Sequence, residues 1–313
     1  MKDNLGRNIR YARISITDAC NFSCTYCKTE EESGFYPVSI TTEDILKIAK
    51  IWIELGIDSF KITGGEPTLH KDCLYLIEQL KKLGAEVTMT SNGSFSNTFL
   101  KQLGNSGLDA LTISLNTLDS QQFQELSSSS VPLEQVLENV FLSTSFFKTK
   151  INCVLLSETK KQWIPLAKIA QNRPIDVRFI QPMPIGKAIH EKREATIPYF
   201  QKEWKDLQLA PEKKGNGPAI YYKTQELQGY LGFILPIEDK FCHLCNRIRL
   251  NSSGFLQSCL CYPEGGDLRK FMEENDSESA LKAYIKKIIA EKPQAHCFET
   301  GKSKTKNMRQ IGG

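Results

Sequence analysis

Residues 41–67 read TTEDILKIAKIWIELGIDSFKITGGEP, a helix pattern running straight into a strand pattern. Ile45, Ile48, Ala49, Trp52 and Ile53 recur at i, i+3, i+4, i+7 and i+8, the spacing of one helix face. Thr41 and Asp44 make a capping-box-like entry, and Gly56 supplies the stop. Phe60–Thr63 is short and β-rich, and it ends on Gly64-Gly65-Glu66-Pro67. The same alternation extends in both directions, from Tyr11 to about Met183. Its candidate strands are Arg13–Ile16, Phe60–Thr63, Glu86–Thr90, Ala110–Leu115, Ile151–Leu156 and Val177–Ile180.

Strand and helix in repeated alternation predict a parallel sheet, which right-handed crossovers wrap into an open barrel. A full eight-stranded barrel needs about 250 residues, and only about 170 are available between Tyr11 and Met183. The expected fold is therefore α/β, an incomplete (β/α)6 barrel. In such sheets the chemistry gathers at the C-terminal ends of the strands. A cysteine group at 20–27, Gly64–Pro67 and Ser91-Asn92-Gly93 all lie just past predicted strands.

After Met183 the alternation breaks at Pro184 and Gly186. A charged helix over about Tyr199–Leu209 is expected next, then β-like runs at Ile220–Lys223 and Tyr230–Leu235. Ser252-Ser253-Gly254 reads as a hairpin turn between Arg249 and Phe255. A helix over about Ser277–Ala290 precedes a basic tail ending Gly312-Gly313. Residues 1–183 are expected as the barrel and 184–313 as a C-terminal region.

Of 313 residues, 40% are hydrophobic and 24% charged, the composition of a soluble globular protein. The net charge of +4 is too balanced for a nucleic-acid protein by charge alone, but it allows a local basic pocket. Met1–Arg10 lacks an apolar core, and no apolar run approaches the ~18 residues of a membrane span. A cytoplasmic protein without a membrane partner is expected, its ten cysteines serving as thiols rather than disulfides.

Six of those cysteines form two triplets, Cys20-x3-Cys24-x2-Cys27 and Cys242-x2-Cys245-x13-Cys259. A structural zinc site takes four protein ligands, and thiolate-held Fe–S clusters normally take four as well. Three ligands each predict two [4Fe-4S] clusters, both with one iron open to a small molecule. A partial zinc site is the plainer alternative. Cys73, Cys153, Cys261 and Cys297 are expected as small buried or incidental residues.

The first triplet, with Tyr26 inside it, resembles the signature of the radical S-adenosylmethionine superfamily. Phe241-Cys242-x2-Cys245-Asn246-Arg247-Ile248-Arg249, followed by Cys259, is similar to the auxiliary-cluster motif of the GTP 3′,8-cyclase family of molybdenum cofactor biosynthesis. The likeness also covers Tyr11–Cys27, Lys61–Pro67, Arg178–Met183 and the terminal Gly312-Gly313. It implies that Cys20, Cys24 and Cys27 hold a cluster whose open iron binds S-adenosylmethionine. Tyr26, Gly64, Gly65, Glu66, Ser114 and Met183 would contact that cofactor. Cys242, Cys245 and Cys259 would hold the second cluster, whose open iron takes the guanine ring. Arg13, Lys61, Thr90, Lys150, Arg178, Arg247, Ile248 and Arg249 would line the GTP site. Arg13, Arg247 and Arg249, with the tail Gly312-Gly313, would serve the radical reaction.

By the same resemblance a deoxyadenosyl radical takes hydrogen from C3′ of GTP, and C3′ then bonds to C8 of guanine. The expected partners are GTP, a flavodoxin or ferredoxin as electron donor, and a second copy of the chain in a homodimer. This sequence departs from the family pattern at Ser59 and Lys61, where two basic residues are usual. Gln181 stands where a carboxylate is common, and Cys261 is extra and able in principle to cap the open iron. Two other readings stay open. One is a two-cluster radical enzyme acting on a peptide or sugar, and the other is a zinc-ribbon nucleic-acid module.

Overall fold

The computed structural model describes residues 1–27, 40–185, 196–211 and 215–298. Six parallel strands run in sequence order: β1 (Tyr11–Ser15), β2 (Ser59–Thr63), β3 (Glu86–Ser91), β4 (Ala110–Ser114), β5 (Lys148–Val154) and β6 (Asp176–Ile180). The helices between them are α1 (Thr42–Glu54), α2 (Cys73–Lys82), α3 (Asn97–Asn105), α4 (Ser120–Ser127), α5 (Leu133–Ser143) and α6 (Trp163–Asn172). α1 begins as its sequence predicts. The Thr41 hydroxyl accepts from the Asp44 N–H at 3.1 Å, and Gly56 takes φ +78° just past the end.

Residues beyond 183 lengthen this sheet at both edges. β9 (Leu231–Ile234) pairs parallel with β6, followed outward by β8 (Ile220–Lys223) and β7 (Gln208–Leu209). β10 (Arg247–Leu250) pairs parallel with β1, followed by β11 (Phe255–Gln257) and β12 (Gly265–Asp267). The predicted hairpin joins β10 to β11, with Gly254 at φ +89°. α9 (Glu278–Ala290) lies where a helix was expected, behind the shorter α8 (Leu268–Glu274).

The expected helix at Tyr199–Leu209 is not found. α7 covers only Thr196–Gln201, and the chain then turns. Trp204 and Leu207 are buried by that turn, which delivers Gln208 to pair with Lys223. Core burial and an edge strand override the helical propensity of Lys202–Asp206.

The strands alternate cleanly. Ala12, Ile14, Phe60, Ile62, Val87, Met89, Leu111, Ile113, Ile151, Cys153, Val177 and Phe179 are all fully buried in the apolar core. The opposite face carries Arg13, Lys61, Thr90, Ser114, Asn152 and Arg178. A parallel sheet covered by helices on both faces reads as continuous apolar runs. This sheet alternates because its inner face surrounds a cavity. Among the described residues no helix is long and apolar enough to cross a membrane.

Candidate active site

That cavity has a volume of about 350 Å³. Cys20, Cys24 and Cys27 lie on its wall, and so do Cys242, Cys245 and Cys259. The two triplets, more than two hundred residues apart in sequence, therefore face one space.

The first triplet sits on the loop after β1. Its backbone is fastened to the end of α4, with Ser23 N–H donating to Ser127 O at 2.7 Å and Thr25 N–H to Leu126 O at 2.9 Å. Phe22 packs edge-on against Phe123 of α4, ring centroids 5.8 Å apart. Asn116 donates to the Tyr26 hydroxyl at 2.8 Å and accepts from the Val154 N–H at 2.8 Å, tying this loop to β5. Burial, then Cys24 and Cys27, pushes the Tyr26 phenol well above its usual value, so Tyr26 stays protonated.

Gly64 and Gly65 are required by close backbone approach. Gly65 N–H donates to Thr17 O at 2.7 Å, and Glu66 N–H to Ala19 O at 2.7 Å. A Cβ at Gly64 would stand 2.6 Å from Thr17 O, and one at Gly65 would collide with Ala19 O. The Glu66 side chain is not where the sequence places it. It is fully buried and accepts from Thr68 N–H, Thr68 Oγ1, Ser91 Oγ and Asn92 N–H at 2.7–3.1 Å. Burial raises its pKa against those four donors. Glu66 thus staples the Gly64–Pro67 loop to the Ser91–Gly93 loop and does not line the cavity.

Three cations form a row across the sheet. In register, Arg249 on β10 neighbours Arg13 on β1, and Arg13 neighbours Lys61 on β2. Arg178 joins them, donating to Thr112 Oγ1 at 3.0 Å, the hydroxyl that Lys61 Nζ meets at 3.4 Å. Burial, then Arg178, Arg13 and Lys150, holds Lys61 well below the usual lysine range. Burial, then Arg13 and Arg247, does the same to Arg249. Like charges gathered out of water are costly, and a polyanion relieves that cost. Arg178 Nε and Asn152 Oδ1 are buried without a protein partner, further signs of a ligand.

The second triplet spans the approach to β10 and the segment after β11. Arg247 stacks over Phe241 at 5.0 Å and donates to Cys245 Sγ at 3.8 Å. Burial would raise the Cys245 thiol, but Arg247 and Lys292 outweigh it and bring it to about 6, a thiolate suited to iron. Lys292 is buried, and its ammonium donates to the carbonyls of Arg247 and Ser258. Arg7 spends all five N–H groups here. They reach Asp3 at 2.6 Å, Cys242 O at 3.0 Å, Gln294 O at 3.3 Å, Lys292 O at 3.0 Å and Pro293 O at 2.8 Å.

The structure brings together Tyr26, Gly64, Gly65, Ser114 and Met183 with Arg13, Lys61, Thr90, Arg178, Arg247 and Arg249. Three expected contacts differ. Lys150 does not line the cavity but pairs with Asp176 at 3.6 Å and Tyr221 at 3.2 Å. The Ile248 side chain is fully buried in the core on the far face of β10, so only its backbone can reach the cavity. Glu66 is the third. Gly312 and Gly313 lie outside the described residues. Asn116, Asn152, Lys292 and Arg7 were missed, since nothing in their local sequence marks them.

Comparison with known proteins agrees with this geometry. The Radical SAM superfamily profile matches residues 14–170, and that of Molybdenum Cofactor Synthesis C matches residues 175–298. A curated GTP 3′,8-cyclase of Clostridium perfringens (strain SM101 / Type A) is 36% identical over 330 aligned positions, covering 100% of both chains. That of Brucella ovis is 35% identical over 312, covering 95% of this chain and 90% of the relative. This chain belongs to the GTP 3′,8-cyclase family.

Among solved structures, Streptococcus suis SuiB bound to S-adenosylmethionine superposes with a TM-score of 0.63 at 16% identity, over 92% of this chain and 65% of that one. SuiB bound to its precursor peptide SuiA gives 0.65 at 16%, over 92% and 68%. At these identities the likeness shows the fold alone. Ser59 and Gln181, expected from the sequence to depart from the family pattern, are both held by local polar contacts. Ser59 Oγ donates to Glu86 at 2.9 Å, and Asn216 bridges both side chains. Gln181 donates to Glu238 at 3.0 Å and accepts from the Ile237 N–H at 3.1 Å, fixing the loop after β9.

Proposed function

We infer that this chain is a radical S-adenosylmethionine enzyme that converts GTP to (8S)-3′,8-cyclo-7,8-dihydroguanosine 5′-triphosphate, the first step of molybdenum cofactor biosynthesis. One observation carries this reading: two cysteine triplets and a row of cations, Lys61 and Arg249 buried and Arg13 half-buried, share a single cavity. The thiol sets and orphaned polar atoms suit two [4Fe-4S] clusters and a polar ligand.

When bound, the first cluster with S-adenosylmethionine supplies a carbon radical that can take hydrogen from C3′ of the ribose. Cys20, Cys24 and Cys27 hold that cluster, and Tyr26, Gly64, Gly65, Ser114 and Met183 shape the cofactor's seat. Arg249, Arg13, Lys61 and Arg178 bind the triphosphate, where guanidinium groups match phosphate oxygens. Cys242, Cys245 and Cys259 would hold the second cluster, which would offer guanine a place to bind, and Arg247 would border it. Anchoring GTP at both ends fixes the ribose between them, and such orientation can supply about 7–11 kcal/mol of a barrier. Residues 1–183 form the barrel that carries the first cysteine triplet, and 184–313 the region that carries the second triplet and the Gly-Gly tail. The tail Gly312-Gly313 takes part in the radical step, and a Gly313→Ala chain should lose product.

The electron comes from a flavodoxin or ferredoxin, and the enzyme works in the cytoplasm as a homodimer. It has no nucleic-acid or membrane partner. Anaerobically reconstituted protein should carry roughly eight irons, from two four-iron clusters. With reductant, S-adenosylmethionine and GTP it should yield 5′-deoxyadenosine and the cyclic nucleotide together. Deoxyadenosine without any GTP-derived product would leave a radical enzyme of another substrate.

A further inference from the structure

Two thiols lie beside the second triplet and outside both triplets. Cys261 Sγ and Cys297 Sγ are 2.8 Å apart, and the Cys297 N–H donates to Cys261 Sγ at 3.1 Å. Each comes from a segment already engaged with a proposed ligand. Cys261 follows Cys259 by two residues, and His296, just before Cys297, donates its N–H to Cys242 Sγ at 3.4 Å. Ile185 and Phe298 pack around the pair in a small apolar cluster separate from the main core. Cys261 is fully buried there, while Cys297 is half-buried and the more accessible of the two. Cys261 is a small buried thiol as expected, and its contact with Cys297 is what the sequence did not show.

We propose that Cys261 and Cys297 form a dithiol modification site that takes up a low-molecular-weight disulfide and closes to an internal disulfide. Cys297, the accessible partner, attacks one sulfur of the small disulfide, and the first small thiol leaves. Cys261 then attacks the Cys297 sulfur of that mixed disulfide, and the second small thiol leaves. The protein pair gives up two electrons and two protons, and the small disulfide gains both. Contact between the sulfurs favours the second attack, because almost no loop must be closed to bring them together. Closure would bind the segment at 292–298 covalently to the one carrying Cys259, across a wall of the cavity. The inference stands on the thiol pair and not on the substrate.

The test uses anaerobic holoenzyme treated with oxidised glutathione, then quenched with a thiol alkylator, digested and read by mass spectrometry, with iron counted in parallel. The expected result is one linked peptide joining Cys261 to Cys297, loss of both from alkylation, reversal by dithiothreitol, and unchanged iron. A Cys297→Ser holoenzyme should keep its iron and leave Cys261 unmodified. Alkylation of both cysteines after oxidant, or a disulfide to Cys242, Cys245 or Cys259 instead, would overturn the proposal. Loss of iron from Cys297→Ser would do so as well, by making Cys297 a ligand.

Discussion

Arg249, Arg13 and Lys61 stand side by side on three adjacent strands, and no one of them would define a site alone. Removing Arg249 leaves a bound phosphate short of a buried charge-assisted partner, a loss of about 2 kcal/mol or more, or roughly 30-fold in affinity. Arg249→Ala should weaken GTP binding by that order in equilibrium dialysis. It should still cleave S-adenosylmethionine when GTP is absent. Arg7 acts at a distance from the substrate. Arg7→Met would strand the buried Asp3 carboxylate and release Cys242, Lys292, Pro293 and Gln294. The expected cost is about 3–5 kcal/mol in thermal or chemical unfolding. Iron should fall from roughly eight toward roughly four, the auxiliary cluster being lost. Cysteine spacing made the proposed ligands legible, and strand alternation put Arg247 and Arg249 on one face. Arg7 and Lys292 were not legible, because their partners lie far away in sequence and are mostly backbone carbonyls.

At the level of elements, the loop at Gly64–Pro67 is held by backbone pairing to residues 17–19 and by Glu66 to residues 91–92. Gly65→Ala would push a methyl into Ala19 O and displace the first cysteine loop. That variant should lose S-adenosylmethionine cleavage while retaining the auxiliary cluster, which iron analysis and low-temperature EPR would show. The six βα units were readable because each is local, with one helix face or one strand at a time. The register of β10 on β1 was not, since parallel pairing across more than two hundred residues leaves no local pattern. Lys150 shows the same limit. Its position on β5 was readable, but Asp176 and Tyr221 decide where its charge is used. At Lys202–Asp206, propensity pointed to a helix and burial of Trp204 decided otherwise.

For the whole molecule, the concentration of cations makes two opposite pH dependences. The folded pKa of Lys61 lies well below its ordinary value, so over that interval the unfolded chain binds more protons than the native one. Stability of GTP-free protein should therefore rise with pH up to the ordinary lysine range. GTP affinity should fall over the same interval, as Lys61 loses its charge. Thermal unfolding of wild type against Lys61→Met should show a gap, the variant being more stable, that narrows as pH increases. A gap independent of pH would mean Lys61 is not strained in the native state. In the proposed function one cavity brings the radical source to the ribose of GTP. Reacting the anaerobic holoenzyme with GTP deuterated at C3′ tests it most directly, by the mass of the 5′-deoxyadenosine formed. Deuterium transferred to 5′-deoxyadenosine, alongside a cyclic nucleotide, is the predicted result. Deoxyadenosine without deuterium, and no GTP-derived product, would contradict it.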